Sequence, residues 1–234
     1  TATSGTLVRV AAFQVTGAKL LATLLPAVVA PTTAAQVQYR LVDVNSNPMV
    51  GQAISVSGAG VTSAQGVTGN NGEYNFAYTS PATAGNLDLT ATAGGVSLLQ
   101  TVIVQSGAGT IPPVPAGSVQ SASVSANPSV VAINTATTSN RAEIRALFQG
   151  AANAPIQNVR VRFDLNGDAN SVGGTISSGT NLLYSDANGI ATSAYVPGSR
   201  SSPTDGLTIR ACWDYTDFAA GTCPNATLRT ITVA

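Results

Sequence analysis

The 234-residue sequence contains no histidine and a single lysine, Lys19, and charged residues make up only 9% of it. Ordinary soluble domains have roughly 25% charged residues. A chain without histidine lacks the commonest general base and the commonest metal ligand, and it can form neither a Ser-His-Asp triad nor a Cys-His pair. The composition therefore excludes most hydrolytic mechanisms, and we expect no enzymatic activity and no cofactor.

The sequence also lacks an excess of either charge, because ten Lys and Arg residues balance ten Asp and Glu residues. Nucleic acids and anionic membrane surfaces both require a basic face, so neither is expected as a partner. The apolar run from Lys19 to Ala30 is too short to cross a bilayer, and Pro26 interrupts it. We interpret this run as a buried strand and expect no membrane insertion.

Cysteine is scarce: Cys212 and Cys223 are the only two. A zinc site would need further Cys or His ligands, so the pair favours a disulfide that closes a short loop in a secreted or cell-surface protein. Two buried free thiols are the alternative. The loop contains Tyr215 and Phe218, although aromatic residues are rare in this chain. They are candidate ligand contacts, and the alternative is that they pack beneath the loop. The alternation predicts that Trp213 faces the core and Cys212 faces outward.

The chain contains two similar halves in which matching segments keep the same order. The offset rises from 102 (Leu25 to Asn127) to 120 (Leu87 to Leu207), and this pattern indicates a tandem duplication with loop insertions in the second copy. The matched segments are 25–30 with 127–132, 37–41 with 142–146, 47–48 with 154–155, 68–72 with 185–189, and 87–91 with 207–211.

Apolar residues alternate with polar residues in every strong segment, and turn clusters such as Gly69–Gly72 separate these segments. Short strands without intervening helices predict an all-β fold of two tandem immunoglobulin-like antiparallel β-sandwiches. A Gly/Pro-rich stretch between the copies marks the boundary. We predict an N-terminal strand (1–17), a first domain (18–105), a linker (106–117) and a second domain (118–234). The N-terminal strand is either the last strand of a preceding domain or an added edge strand.

Two motifs carry a family resemblance. The segment Asp43–Gly51, which leads into Ile54 and Val56, resembles the strand-turn-strand signature of group 1 bacterial immunoglobulin-like domains, the type repeated in invasin and intimin. In the second copy, Gly173–Ile176 and Ser185–Ala191 are similar to another segment of that family. The second copy departs from the signature at 150–155, where it lacks the Asp and the Gly.

The resemblance implies a role as a spacer and adhesive segment in a bacterial surface protein, either anchored in the outer membrane or secreted. It implies neighbouring immunoglobulin-like domains as partners, together with a host or cell-surface ligand. The alternative is a ligand-binding module that holds a carbohydrate or host receptor at the Cys212–Cys223 loop.

Oxygen donors at alternate positions in Asp164, Asn166, Asp168 and Asn170 fit part of a calcium-loop pattern. Ala169 stands where such loops need Gly, and Thr175 stands where they need Glu. We therefore expect a polar loop rather than a metal site, and calcium binding is the weaker alternative.

Overall fold

The computed structural model describes residues 2–4, 7–9, 17–106 and 112–234. Within this part of the chain, regular structure consists of β-strands and one short 3-10 turn at Ala151–Asn153. The strands are β1 (Ala2–Ser4), β2 (Leu7–Arg9), β3 (Lys19–Leu25), β4 (Val28–Val29), β5 (Ala34–Val42), β6 (Ala53–Gly58), β7 (Ala64–Val67), β8 (Glu73–Thr79), β9 (Gly85–Ala93), β10 (Val96–Val104), β11 (Ser121–Asn127), β12 (Val130–Val131), β13 (Ala142–Gln149), β14 (Arg160–Asp164), β15 (Thr175–Ile176), β16 (Leu183–Tyr184), β17 (Ile190–Val196), β18 (Leu207–Asp214) and β19 (Asn225–Val233).

Strands β3 to β19 form two sandwiches of related topology, and the second has an additional strand, β15, which pairs with β17. In the first, the sheet β3-β5-β8 faces the sheet β4-β10-β9-β6-β7; in the second, β11-β13-β17-β15 faces β12-β19-β18-β14-β16. Strand pairing is antiparallel except where β4 joins β10 and β12 joins β19. The predicted fold class, two immunoglobulin-like β-sandwiches, is confirmed.

Alternation along the strands fills each core. In β5, Val37, Tyr39 and Leu41 are fully buried, whereas Gln38 between them is half-buried and Arg40 is exposed. In the second sandwich, Ile144 and Phe148 are buried in the same way. Each fully buried large apolar side chain contributes about 1.5–3 kcal/mol to stability. Burial of the apolar face therefore keeps that face of each alternating strand toward the core, and no ion pair is needed for this.

Equivalent backbone hydrogen bonds recur in the two sandwiches and correct one of the sequence matches. The N–H of Leu41 donates to the Gly72 carbonyl, and the N–H of Phe148 donates in the same way to Gly189. Leu41 is therefore equivalent to Phe148, not to Ala146, and the match of 37–41 with 142–146 was out of register by two residues. A shift of two preserves the alternation, so the pattern alone could not reveal it. The duplication itself stays a prediction.

The apolar run that begins at Lys19 is not the buried strand that was expected. It forms β3, the edge of a three-stranded sheet, and only alternate residues such as Leu20 face the core. Leu21 and Leu25 are exposed on the outer face. Because apolar residues occupy both faces of β3, the sequence did not show that only one face of this strand is turned toward the core.

The predicted domain boundaries stay a prediction. One core cluster lies in each sandwich, but Ile103 of β10 and Val28 of β4 pack into the second cluster rather than the first. Much of the predicted N-terminal strand, and linker residues 107–111, lie outside the described residues. The backbone of β1 and β2 pairs as a hairpin, which does not test whether it belongs to a preceding domain.

Candidate functional site

A disulfide joins Cys212 at the end of β18 to Cys223 just before β19, and their Cα atoms are 4.9 Å apart. Cys212 lies on the opposite face of β18 from Ala211, as the alternation requires, but the loop covers it and it is only 1% exposed. Trp213 is half-buried rather than enclosed in the core. Its ring lies edge-on to the ring of Phe148, and the two ring centroids are 5.6 Å apart. The disulfide therefore closes a loop that itself forms a cover over this end of the second sandwich.

The stapled loop, residues 213–222, contacts the chain segment that enters the second sandwich. The Tyr215 hydroxyl accepts a hydrogen bond from the N–H of Val119 at 2.8 Å. The Phe218 ring lies 4.8 Å from the Arg162 guanidinium, which also donates to the Phe218 carbonyl. Both candidate ligand-contact residues thus have partners within the protein, and the Tyr215 hydroxyl faces the linker.

Arg160 of β14 binds the linker directly. Its guanidinium donates to the carbonyls of Pro112 at 2.6 Å and Pro113 at 2.9 Å, and it pairs with the Asp217 carboxylate at 3.0 Å. A fourth bond to the Asn158 carbonyl uses another donor direction. Arg160 is only 2% exposed, so the linker and the loop together remove its charged group from water. The four hydrogen bonds of the planar guanidinium replace its hydration.

Tyr184 of β16 completes this enclosure. Its ring lies 5.3 Å from the Arg160 guanidinium carbon, within the range of a cation–π contact. Burial raises the pKa of the Tyr184 hydroxyl, the Asp217 charge raises it further, and the Arg160 charge opposes both. Arg160, Asp217 and Tyr184, with the two proline carbonyls, form what we call the linker clamp.

The four calcium candidates do not converge on a common point through free oxygens. The Asp164 carboxylate pairs with Arg210 at 2.8 Å, and the Asp168 carboxylate accepts the N–H groups of Val172 and Gly173. Asn166 and Asn170 act as donors, the first through its backbone to Asp164 and the second through its amide to a carbonyl. No group of three or more metal-binding side chains occurs among the residues that the structure describes.

A second set of contacts joins the sandwiches to each other. The Asp88 carboxylate on the outer face of β9 accepts hydrogen bonds from Thr101 at 2.7 Å and from Arg141 of the second sandwich at 2.5 Å. Thr101 is fully buried and Arg141 is 23% exposed. A polar face that would normally meet water is therefore covered and has its hydrogen bonds satisfied across the joint.

The free edge of β10 is covered by the same joint. The N–H of Ser97 donates to the Ala136 carbonyl at 2.8 Å, and the N–H of Leu99 donates to the Ser139 hydroxyl at 3.1 Å. Unpaired edge strands are templates for association with other chains. Residues 136–139 of the second sandwich satisfy this edge, and we call them the edge-covering loop.

None of these joint residues was identified from the sequence. Arg160 alternates with Val159 and Val161, and a charged residue in that position is expected to face solvent. Asp88 and Arg141 are 53 positions apart, and no local pattern links them. The one available signal was rarity, since each of the few charges in such a sequence is a candidate for a specific pair.

We expect the double substitution Cys212→Ala and Cys223→Ala to destabilise the second sandwich by about 2–3 kcal/mol, because it restores the entropy of an 11-residue loop. Urea unfolding followed by fluorescence of Trp213, the single tryptophan, measures the effect. Reductant should lower the unfolding midpoint of the natural chain to that of the variant and leave the variant unchanged. Equal midpoints for all samples would contradict the expectation.

The fold and the joint place the chain in the all-β class of immunoglobulin-like tandem sandwiches. Invasin, a bacterial integrin-binding protein, is similar at 17% identity and a TM-score of 0.35, over 92% of this chain and 40% of invasin. The adhesin InvE of Yersinia pseudotuberculosis is similar at 17% identity and a TM-score of 0.34, over 92% of this chain and 58% of the adhesin. The D0-D1 domain of intimin is similar at 12% identity and a TM-score of 0.36, over 91% of this chain and 94% of the intimin structure.

This chain thus spans less than two thirds of the invasin and InvE structures. No protein-family model and no curated protein matches the sequence. The fold class stated above rests on the strand pairing of this chain. Among the described residues, no helix has the length and apolar character needed to cross a membrane.

Proposed function

We propose that this chain is a non-enzymatic spacer segment of a secreted or surface-anchored bacterial protein, in which two sandwiches are held in one fixed relation. The observation that carries the proposal is the joint: a buried arginine binds the linker, and an ion pair and a covered strand edge join the sandwiches. Gly/Ser-rich linkers are flexible, and Pro-rich linkers are extended and stiffer but do not by themselves fix the orientation of the domains that they join. A spacer transmits position only if such freedom is removed.

The proposal assigns the stapled loop a structural role. Asp217 in this loop pairs with Arg160, and Tyr215 binds Val119 just after the linker, so the disulfide supports the linker clamp. In the alternative function, the loop would bind a carbohydrate or a host receptor through Tyr215 and Phe218. Binding to a glycan panel that disappears in Phe218→Ala, with the fold intact, would favour that alternative over the spacer.

Residual dipolar couplings of backbone amides test the fixed relation in solution. We expect the two sandwiches of the natural chain to fit one alignment tensor, because the joint has contacts at the linker, at Asp88 and along β10. The variant Arg141→Met should require two tensors or show reduced order in one sandwich. The loss in stability should be small, about 1 kcal/mol, since the Asp88–Arg141 pair is partly exposed.

Arg145→Met is the matched control for this experiment. Arg145 lies four residues further along and pairs with Glu143 within the second sandwich, so its loss removes an ion pair without touching the joint. The control should keep a single tensor. Two independent tensors in the natural chain would contradict the proposed function.

A further inference from the structure

The edge of β19 in the second sandwich corresponds position by position to the covered edge of β10 in the first. Leu87 pairs with Val102, and its counterpart Leu207 pairs with Ile231. The same offset makes Ile103 equivalent to Thr232, and these two residues occupy matching places beside the parallel strands β4 and β12. Ser97, Leu99 and Thr101 therefore correspond to Ala226, Leu228 and Thr230.

The hydrogen-bonding groups of the β19 edge point in the same direction as those of β10. The N–H groups of Thr232 and Ala234 donate toward the β12 side, to Ser129 and Val131. Because amides on one side of a strand recur every second residue, the N–H groups of Ala226, Leu228 and Thr230 also face that side. Within the described part of the chain, no hydrogen bond outside the strand ladders uses these three groups.

The two edges differ in what covers them. Thr101 is fully buried and Leu99 is half-buried beneath the edge-covering loop. Their counterparts Thr230 and Leu228 are exposed, and the Leu228 side chain is 53% exposed. Arg229 is the one charged residue among residues 225–230 of this edge, which has an exposed leucine at its centre, so the edge has little of the usual protection against association.

We infer that the β19 edge, residues 225–230 with Leu228 at its centre, is a docking edge for a further sandwich of this fold. The occupant would follow in the same chain and place a loop against β19 as residues 136–139 lie against β10. This inference rests on the proposed spacer function. It extends that function by locating the surface through which the fixed relation passes to the next unit.

The docking would depend on backbone and apolar contacts more than on charge. At the position of Asp88 the second sandwich has Thr208, so the ion pair with an arginine of the next unit has no counterpart. The contacts that can recur are the amides of Ala226 and Leu228 and the apolar cover on Leu228. A charge at Leu228 should therefore be the most damaging single change on this surface.

The test uses the full chain extended after Ala234 by a second copy of residues 105–234, which supplies a further linker and a further edge-covering loop. We expect hydrogen exchange at the amides of Ala226 and Leu228, the counterparts of Ser97 and Leu99, to slow at least about ten-fold relative to the natural chain. Leu228→Lys in the extended chain should restore the original rates. Val44→Lys, which charges another exposed apolar residue in the first sandwich, should leave the protection intact.

Two outcomes would overturn the inference. In the first, the amides of Ala226 and Leu228 exchange at unchanged rates although the core strands of the added sandwich are protected. In the second, the natural chain alone protects them increasingly with protein concentration, which would identify a second copy as the occupant. A natural chain that needs two alignment tensors would instead reject the proposed function, so the two failures are distinguishable.

Discussion

Arg160→Met should destabilise the second sandwich by about 3 kcal/mol and release the linker. The substitution removes four charge-assisted hydrogen bonds from a group that is 2% exposed, and it leaves the partly exposed Asp217 without its partner. Methionine keeps much of the apolar stem, so the change isolates the guanidinium. Urea unfolding followed by Trp213 fluorescence measures the loss, and a fall in the backbone 15N order parameters of Val114 and Ala116 measures the release.

Arg200→Met is the control for that experiment, because Arg200 is exposed in a loop of the same sandwich and its loss should change stability by no more than about 0.5 kcal/mol. Arg160→Lys adds a second comparison. Lysine keeps the charge but lacks the planar fork, so it should recover only part of the stability and of the backbone order of the linker. Unchanged order parameters at Val114 and Ala116 in Arg160→Met would show that other contacts hold the linker.

Gly189→Ala should have an effect of similar or greater size, at least about 3 kcal/mol. Gly189 has a φ of +76°, and an added Cβ would press against the Phe148 carbonyl oxygen, which is backbone and cannot move aside. That clash would disrupt the hydrogen bond from the Phe148 N–H to the Gly189 carbonyl, which joins the turn to β13. The cost combines left-handed strain of about 1–2 kcal/mol with the steric term.

Gly167→Ala separates the two contributions. Gly167 has a similar φ of +80° in the same sandwich, but an added Cβ would meet nothing within 4 Å. This variant should lose only the strain, about 1–2 kcal/mol. The difference between the two variants, read by Trp213 fluorescence in urea, gives the steric part. Equal losses would show that β13 and its turn relax around the new methyl group.

The fold could be predicted because every step depended on local pattern. Alternation in segments such as Val37–Leu41 specified the strands, and Asp-Ala-Asn-Gly at 186–189 specified a turn whose Asp186 carboxylate accepts the N–H groups of Asn188 and Ile190. These signals arise within a few residues. They therefore identify two sandwiches, although they left the register of one match wrong by two.

The joint could not be predicted because its contacts join distant residues whose local pattern is ordinary. Arg160 occupies a position that reads as an outward strand residue, and the proline carbonyls that it binds carry no side-chain signal. The stapled loop was correctly associated with the two cysteines. Its orientation toward the linker depends on Val119 and Arg160, which only the folded chain brings to it.

The parallel pairing of β4 with β10, and of β12 with β19, has a mechanical consequence. In each sandwich these two strands lie near the opposite ends of the chain segment, and backbone hydrogen bonds link them, such as those from Ile103 to Ala27 and from Gln105 to Val29. Tension along the chain pulls such strands past each other, so the bonds are sheared together rather than opened one after another. The parallel pair near the two ends of each sandwich therefore resists stretching of the chain.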